Sequence, residues 1–293
     1  MENIQLRLEA EKAEIIEDRR EFVCYNSKNK NSKIRCEENS VSGAVSQRAC
    51  VYCGARVVLN PITDAFHLIH GPIGCAAYTW DLRGSLSSGS ELFRNSFSTD
   101  LSETDVIFGG EKKLREAVDE IVKKFHPKVI FIYATCIVGV IGDDIDAVCR
   151  NAEEKYGIRV IPVKSPGFSG NKSTGYRAAC NAILKLIGDK KSDKKVSGIN
   201  YLGDFNLAGE VWVVENYLKR IGIDIVSKLT GDGKVDEIVK APEAKLNIVQ
   251  CAGSMGYLAK QMEELYDIPF IKTSFVGLED TENSLLQVAN IVG

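Results

Sequence analysis

Three cysteines stand where a thiol can do chemistry. Cys75 follows the apolar run and turn of HLIHGPIG, Cys136 ends KVIFIYAT and Cys251 ends LNIVQ, so each falls at the C-terminal end of an expected strand, with a helix expected to start beside it. Free N–H groups and the dipole at a helix N-terminus favour the thiolate, the form that binds metal. That edge of a parallel sheet is also where open α/β folds bind ligands. Taken singly, each of the three is better explained as a buried core thiol, because cysteine is among the residue types most often inside. Their recurrence at three strand ends is what favours metal.

The other cysteines and histidines carry weaker signals. Cys50 and Cys53 in RACVYCGAR form a C-x-x-C, a spacing shared by zinc sites and thioredoxin-like redox pairs. No second pair, no Cys/His partner set and no strand-to-helix context accompanies it, which weighs against both. Cys149 and Cys180 lie within expected helices on apolar faces and read as inert core thiols, while Cys24 and Cys36 belong to a polar arm. His67 and His70 flank a strand end, as hydrogen-bonded core groups or as neighbours of a cofactor. His126, before Pro127, reads as an exposed helix end. SGNKSTGY lacks the earlier glycine of a phosphate-binding loop, TGDGK reads as a turn, and no G-x-S-x-G nucleophile elbow occurs.

The elements that must position these groups alternate. FHLIHG, DVIFGG, KVIFIY and RVIPVKS read as buried strands. Between them EKKLREAVDEIVKKF places Leu114, Ala117, Val118, Ile121, Val122 and Phe125 on one helical stripe. Strand, helix, strand implies a parallel sheet with right-handed crossovers. After the charged run GDKKSDKKVSG a second unit follows, with INYLGDF, IDIVSKL, LNIVQC and PFIKTSF as strands and GEVWVVENYLKRIG and GYLAKQMEELYD as helices. The expected organisation is a charged arm over 1–45, a first α/β domain over 46–190, a linker over 191–196 and a second α/β domain over 197–293.

Composition removes several functional classes. A chain of 293 residues with 44% hydrophobic content can bury a substantial core, and a formal net charge of -3 leaves no basic excess for nucleic acid or an anionic membrane surface. No apolar run approaches a membrane span, and the charged start MENIQLRLEAEKAEIIEDRR is no signal peptide, so a cytoplasmic protein is expected. In that reducing compartment nine cysteines are thiols or metal ligands rather than disulfides.

Five ordered blocks carry a resemblance: RACVYCGARVVLNPITDAFHLIHGPIGCAAYTWDLRG, FSTDLSETDVIFGGEKKL, TCIVGVIGDDIDAVC, GDFNLAGEVW and LNIVQCAGSMGYLAKQMEE. From about residue 48 onward the chain resembles the nitrogenase component 1 family, and within it the branch that serves as a scaffold for cofactor assembly. The fold this implies is α/β, two consecutive domains with mainly parallel sheets flanked by helices. Family members continue into a third α/β domain, so the resemblance implies a truncated product or a fragment lacking part of the cofactor cavity.

By the same resemblance Cys50, Cys75 and Cys136 match the three cysteines with which the scaffold subunit helps hold a 4Fe-4S cluster. Such clusters usually take four thiolates, and the family completes the set from a homologous NifN-like subunit across the interface of a heterotetramer. Cys53 is the alternative fourth donor within the chain. Cys251 matches the cysteine beside the iron-molybdenum cofactor or its precursor. Arg83 matches a position near that cofactor, where a guanidinium pairs with an anionic cluster or its homocitrate; its plain alternative is a surface ion pair. Ser254 either hydrogen-bonds a cluster sulfur or caps the helix after Cys251.

Catalytic relatives carry a histidine in the stretch matching GNKSTGYRAA, where this chain has Tyr176 and Arg177, and no histidine follows His126. That difference favours assembly over substrate reduction, and no catalytic residue is assigned. The partners implied are the NifN-like subunit, the nitrogenase iron protein and a donor of the cofactor precursor. A reductase subunit of the same superfamily, which includes the tetrapyrrole reductases, and a metal-free interaction fragment are the two alternatives.

Overall fold

A computed structural model of the chain describes residues 50–80, 95–189 and 191–293. The expected N-terminal arm, with Cys24 and Cys36, lies outside them. The first half runs α1 (Val51–Leu59), β1 (Phe66–His70), α2 (Ile73–Trp80), β2 (Ser96–Ser98), α3 (Glu103–Phe108), α4 (Glu111–Phe125), β3 (Val129–Ala134), α5 (Cys136–Ile141), α6 (Ile145–Tyr156), β4 (Arg159–Lys164) and α7 (Lys172–Ile187). The second runs β5 (Gly198–Leu202), α8 (Glu210–Arg220), β6 (Asp224–Leu229), α9 (Val235–Val239), β7 (Leu246–Val249), α10 (Ala252–Tyr266), β8 (Phe270–Lys272) and α11 (Leu278–Val292). Each half builds a four-stranded sheet, ordered β2-β1-β3-β4 and β6-β5-β7-β8, with every pairing parallel. The molecule therefore has two parallel-sheet α/β domains flanked by helices. Among the described residues no helix is long and apolar enough to cross a membrane.

The sequence expectation fails at DVIFGG. Its first four residues are the body of α3, because Ser102 and Asp105 form a capping box that satisfies the free N–H groups of a helix start. Ile107 and Phe108 are then left exposed rather than buried in a strand. The strand in that position is β2, three residues of SFS whose shortness and polarity hide the alternating pattern.

Side-chain alternation along the strands feeds separate cores on the two faces of each sheet. In β3, Ile130, Ile132 and Ala134 meet α4 and α6 on one face, while Val129, Phe131 and Tyr133 meet α1 and α7 on the other. The second sheet sends Ile199, Tyr201, Leu246 and Ile248 toward α8 and α11, and Leu202 and Val249 into the core shared with α1, α7 and α10. One helical layer thus serves both sheets.

At its centre α1 and α7 touch backbone to backbone. A Cβ on Gly54 would lie 2.2 Å from the Lys172 carbonyl oxygen, and one on Gly175 would lie 2.1 Å from that of Val51. The α1–β1 loop is pinned to the second sheet as well: Ile62 bridges to Gly233, Thr63 N donates to Gly233 O at 2.9 Å, and Val235 N donates to Asp64 Oδ1 at 2.8 Å. Gly175→Ala is expected to lower stability by about 1–3 kcal/mol through overpacking. Gly253→Ala, at a helical position with open space around it, should raise stability by about 0.5–1 kcal/mol. Urea unfolding midpoints check both; equal midpoints would contradict the close crossing.

Candidate functional site

In the first sheet the chain leaves β1 toward β2 and returns on the other side as β3, so the connections after β1 and β3 part and leave a crevice at their C-terminal ends. Cys75 follows β1 and sits in the first turn of α2; Cys136 follows β3 and is the first residue of α5. The same reversal occurs between β5 and β7 in the second sheet, and Cys251, the N-cap of α10, follows β7 there. Cys50 is the N-cap of α1. All four thiols therefore stand at helix N-termini.

The structure brings Cys50, Cys75 and Cys136 together. Gly167, in a 3-10 turn between β4 and α7, touches two of them: its N–H donates to Cys136 Sγ at 3.1 Å, and a Cβ added to it would lie 2.9 Å from Cys136 Sγ and 3.1 Å from the Cβ of Cys50. Burial pushes the Cys75 thiol up, and the neighbouring Cys136 and Cys50 push it further. The helices that carry Cys50 and Cys75 are tied by the Tyr52 and Thr79 hydroxyls, 2.6 Å apart. Thr135, just before Cys136, donates its N–H and its hydroxyl to the His70 carbonyl at the end of β1, at 3.2 and 2.9 Å.

Cys136 is exposed, and Cys50 and Cys75 are half-buried. Cys53 faces inward at 2% exposure, and burial raises its thiol pKa with Cys50 adding to the effect. Among the described residues no three His, Cys, Asp or Glu side chains converge as they would on a single metal ion. A cluster of several irons asks for something different, since each thiolate ligates its own iron. Three free thiols, two of them against one glycine whose N–H is already aimed at a sulfur and the third beside both, fit that demand.

Two buried polar arrangements support the crevice. His70 is bonded by Nε2 to Asp143 Oδ2 at 2.9 Å and by Nδ1 to the Thr99 hydroxyl at 3.0 Å, and Asp143 also accepts from Gly110 N at 3.1 Å. Burial lowers the His70 pKa more than Asp143 raises it, so the ring is neutral and acts as a structural clamp. Arg56, on α1, was not singled out from the sequence, although a lone cation in VYCGARVVL is the available signal. It is 2% exposed, and its Nη2 donates to Ser96 Oγ at 2.9 Å. Gly167 was missed too, because its role depends on contacts between distant segments.

Cys251 stands apart, half-buried at the other crevice. Gly203, with φ +86°, lets the end of β5 approach it; a Cβ there would lie 2.8 Å from Cys251 N. Ser254 is 4% exposed and donates its hydroxyl to the Cys251 carbonyl at 3.3 Å, within the first turn rather than at the cap. Arg83 lies outside the described residues. Cys149 and Cys180 are core thiols, both pushed up to about 12 by burial.

Among the seven described cysteines of the folded chain, iodoacetamide should label Cys136 first and Cys50, Cys75 and Cys251 next, with Cys53, Cys149 and Cys180 slower by on the order of tenfold or more until the chain unfolds. Peptide mass analysis reads this; comparable rates at Cys136 and Cys180 would contradict the placement.

Comparison with known proteins adds to this geometry. Residues 50–293 match the family described as nitrogenase component 1 type oxidoreductase. The chain is 71% identical over 283 residues to the nitrogenase iron-molybdenum cofactor biosynthesis protein NifE of Clostridium pasteurianum, covering 95% of this chain and 62% of that one. It is 52% identical over 290 residues to the NifE of Methanosarcina barkeri, covering 95% and 63%. Against the nitrogenase molybdenum-iron protein alpha chain of Methanosarcina barkeri the identity is 41% over 280 residues, covering 93% and 53%. The solved structure of nitrogenase Cp1 at pH 6.5 superposes with a TM-score of 0.82 at 35% identity, covering 94% of this chain and 56% of that chain. The chain thus spans less than two thirds of each of these relatives.

Proposed function

The chain belongs to the family of nitrogenase component 1 type oxidoreductases, and from that premise we propose that it is a scaffold subunit on which the iron-molybdenum cofactor precursor of nitrogenase is matured. The observation that carries this is the division of labour among thiols: three gathered at the first crevice, one alone at the second. The 71% identity to a NifE, against 41% to a nitrogenase alpha chain, supports assembly over substrate reduction.

In this reading Cys50, Cys75 and Cys136 are ligands of a 4Fe-4S cluster, which supplies one-electron redox chemistry when bound. The chain's own residues do the rest. Gly167 leaves room for two of the sulfurs and donates to one; α1, α2 and α5 direct the positive ends of their dipoles at thiolates. The fourth ligand comes from a NifN-like subunit in a heterotetramer, because Cys53 is turned into the core. An apolar rim supports a docked partner: Ile73, Tyr78, Phe108, Val140 and Phe168 are all exposed, on the segments that carry or adjoin Cys75, Cys136 and Gly167. Covering such a patch removes apolar area from water.

Cys251 anchors the precursor, which is cargo rather than a resident group. One thiolate gives an attachment that is firm yet releasable. Ser254, bonded to the Cys251 carbonyl, holds the turn that presents the thiol, and Arg83 pairs with the anionic cargo or its homocitrate. The nitrogenase iron protein and a precursor donor are the further partners. Unpaired thiols of this kind are kept reduced in the cytoplasm.

Anaerobic co-expression with a NifN-like subunit tests the reading. The purified complex should contain iron and sulfide with an electron paramagnetic resonance signal on reduction. Cys136→Ser should abolish that signal while the partner still co-purifies, and Cys251→Ala should keep the signal but lose retention of the precursor. An iron-free complex would sink the proposal.

A further inference from the structure

Arg56 presents an unsolved charge. Beyond its bond to Ser96, its guanidinium carbon lies 5.3 Å from the centroid of the Tyr133 ring, and its Nε and Nη1 have no hydrogen-bond partner among the described residues. None of the ion pairs among the described residues includes it. The ring of His67 offers no compensation, because burial and Arg56 itself hold it neutral. A guanidinium at 2% exposure with no anion among the described residues is costly. An anion held nearby offsets such a cost.

We propose that Arg56 is the internal counter-charge of the three-thiol site, a positioning residue that sets the reduction potential of an iron-sulfur cluster held by Cys50, Cys75 and Cys136. This rests on the cluster reading above. Cys50 is the N-cap of the helix that carries Arg56, six residues or about 9 Å of helix rise away. The intervening Val51, Tyr52, Cys53 and Ala55 are each 3% exposed or less, so the field crosses protein rather than water. A thiolate-ligated cluster becomes more negative on reduction, so a fixed positive charge favours the reduced state and raises the potential.

The test uses the anaerobic complex with its partner, comparing the unmodified chain with Arg56→Lys, Arg56→Gln and Arg56→Met by iron content and by redox titration followed with electron paramagnetic resonance. At full iron content, Arg56→Met and Arg56→Gln should shift the midpoint to lower potential, while Arg56→Lys stays close to the unmodified complex. Loss of iron in the Met and Gln variants alone, with partner still bound and iron kept by the Lys variant, supports the same role. An unchanged midpoint in Arg56→Met, an equal shift in all three variants, or loss of iron in all three overturns it. An iron-free unmodified complex overturns the cluster reading itself, and this inference with it.

Discussion

Parallel pairing in a sheet whose chain path reverses at a central strand pair is the constraint on which the rest of this molecule depends. Parallel strands need crossovers, crossovers to opposite sides part the loops above the central pair, and the gap is lined by helix N-termini. The reversal occurs twice, at β1/β3 and at β5/β7. Cys75 and Cys136 stand at the first gap and Cys251 at the second. In each case the backbone provides partial positive charge where a thiolate benefits from it.

Cys50 reaches the first gap by another route. It belongs to no strand end, and its place is set by α1, which lies against α7 with two glycines allowing backbone contact. The turn that leads from β4 into α7 carries Gly167, so the packing that seats α1 also sets the residue touching Cys50 and Cys136. The bridge and hydrogen bonds from residues 62–64 to residues 233–235 tie this helix to the second sheet, so that both thiol sites hang from one helical layer.

Buried polar groups around the first site fall into two kinds. His70, Thr99, Asp143 and Gly110 satisfy one another and lock the ends of β1, α4 and α5 without leaving a charge to be answered. Arg56 is the opposite case: desolvated, with two of its three guanidinium nitrogens unpartnered among the described residues. A satisfied network fixes geometry, while an unsatisfied charge projects a field through the low-dielectric interior. The first kind positions sulfur atoms, and the second acts on what those atoms hold.

Local pattern was sufficient for much of this. Alternating apolar runs marked β1, β3, β4 and the four strands of the second sheet, and the 3.6-residue period marked α4, because short-range sterics and burial periodicity act within a few residues. It failed at α3, where a capping box outweighed an apolar run, and at β2, whose three residues carry too little pattern. From residue order alone the chain determined that three thiols stand at strand ends beside helix starts. Only tertiary structure decided that Cys50 joins Cys75 and Cys136 while Cys53, three residues along the same helix, turns inward, and that Arg56 is buried with no counter-ion among the described residues. Those outcomes depend on helix rotation and on contacts between segments far apart in the chain, which no local periodicity encodes.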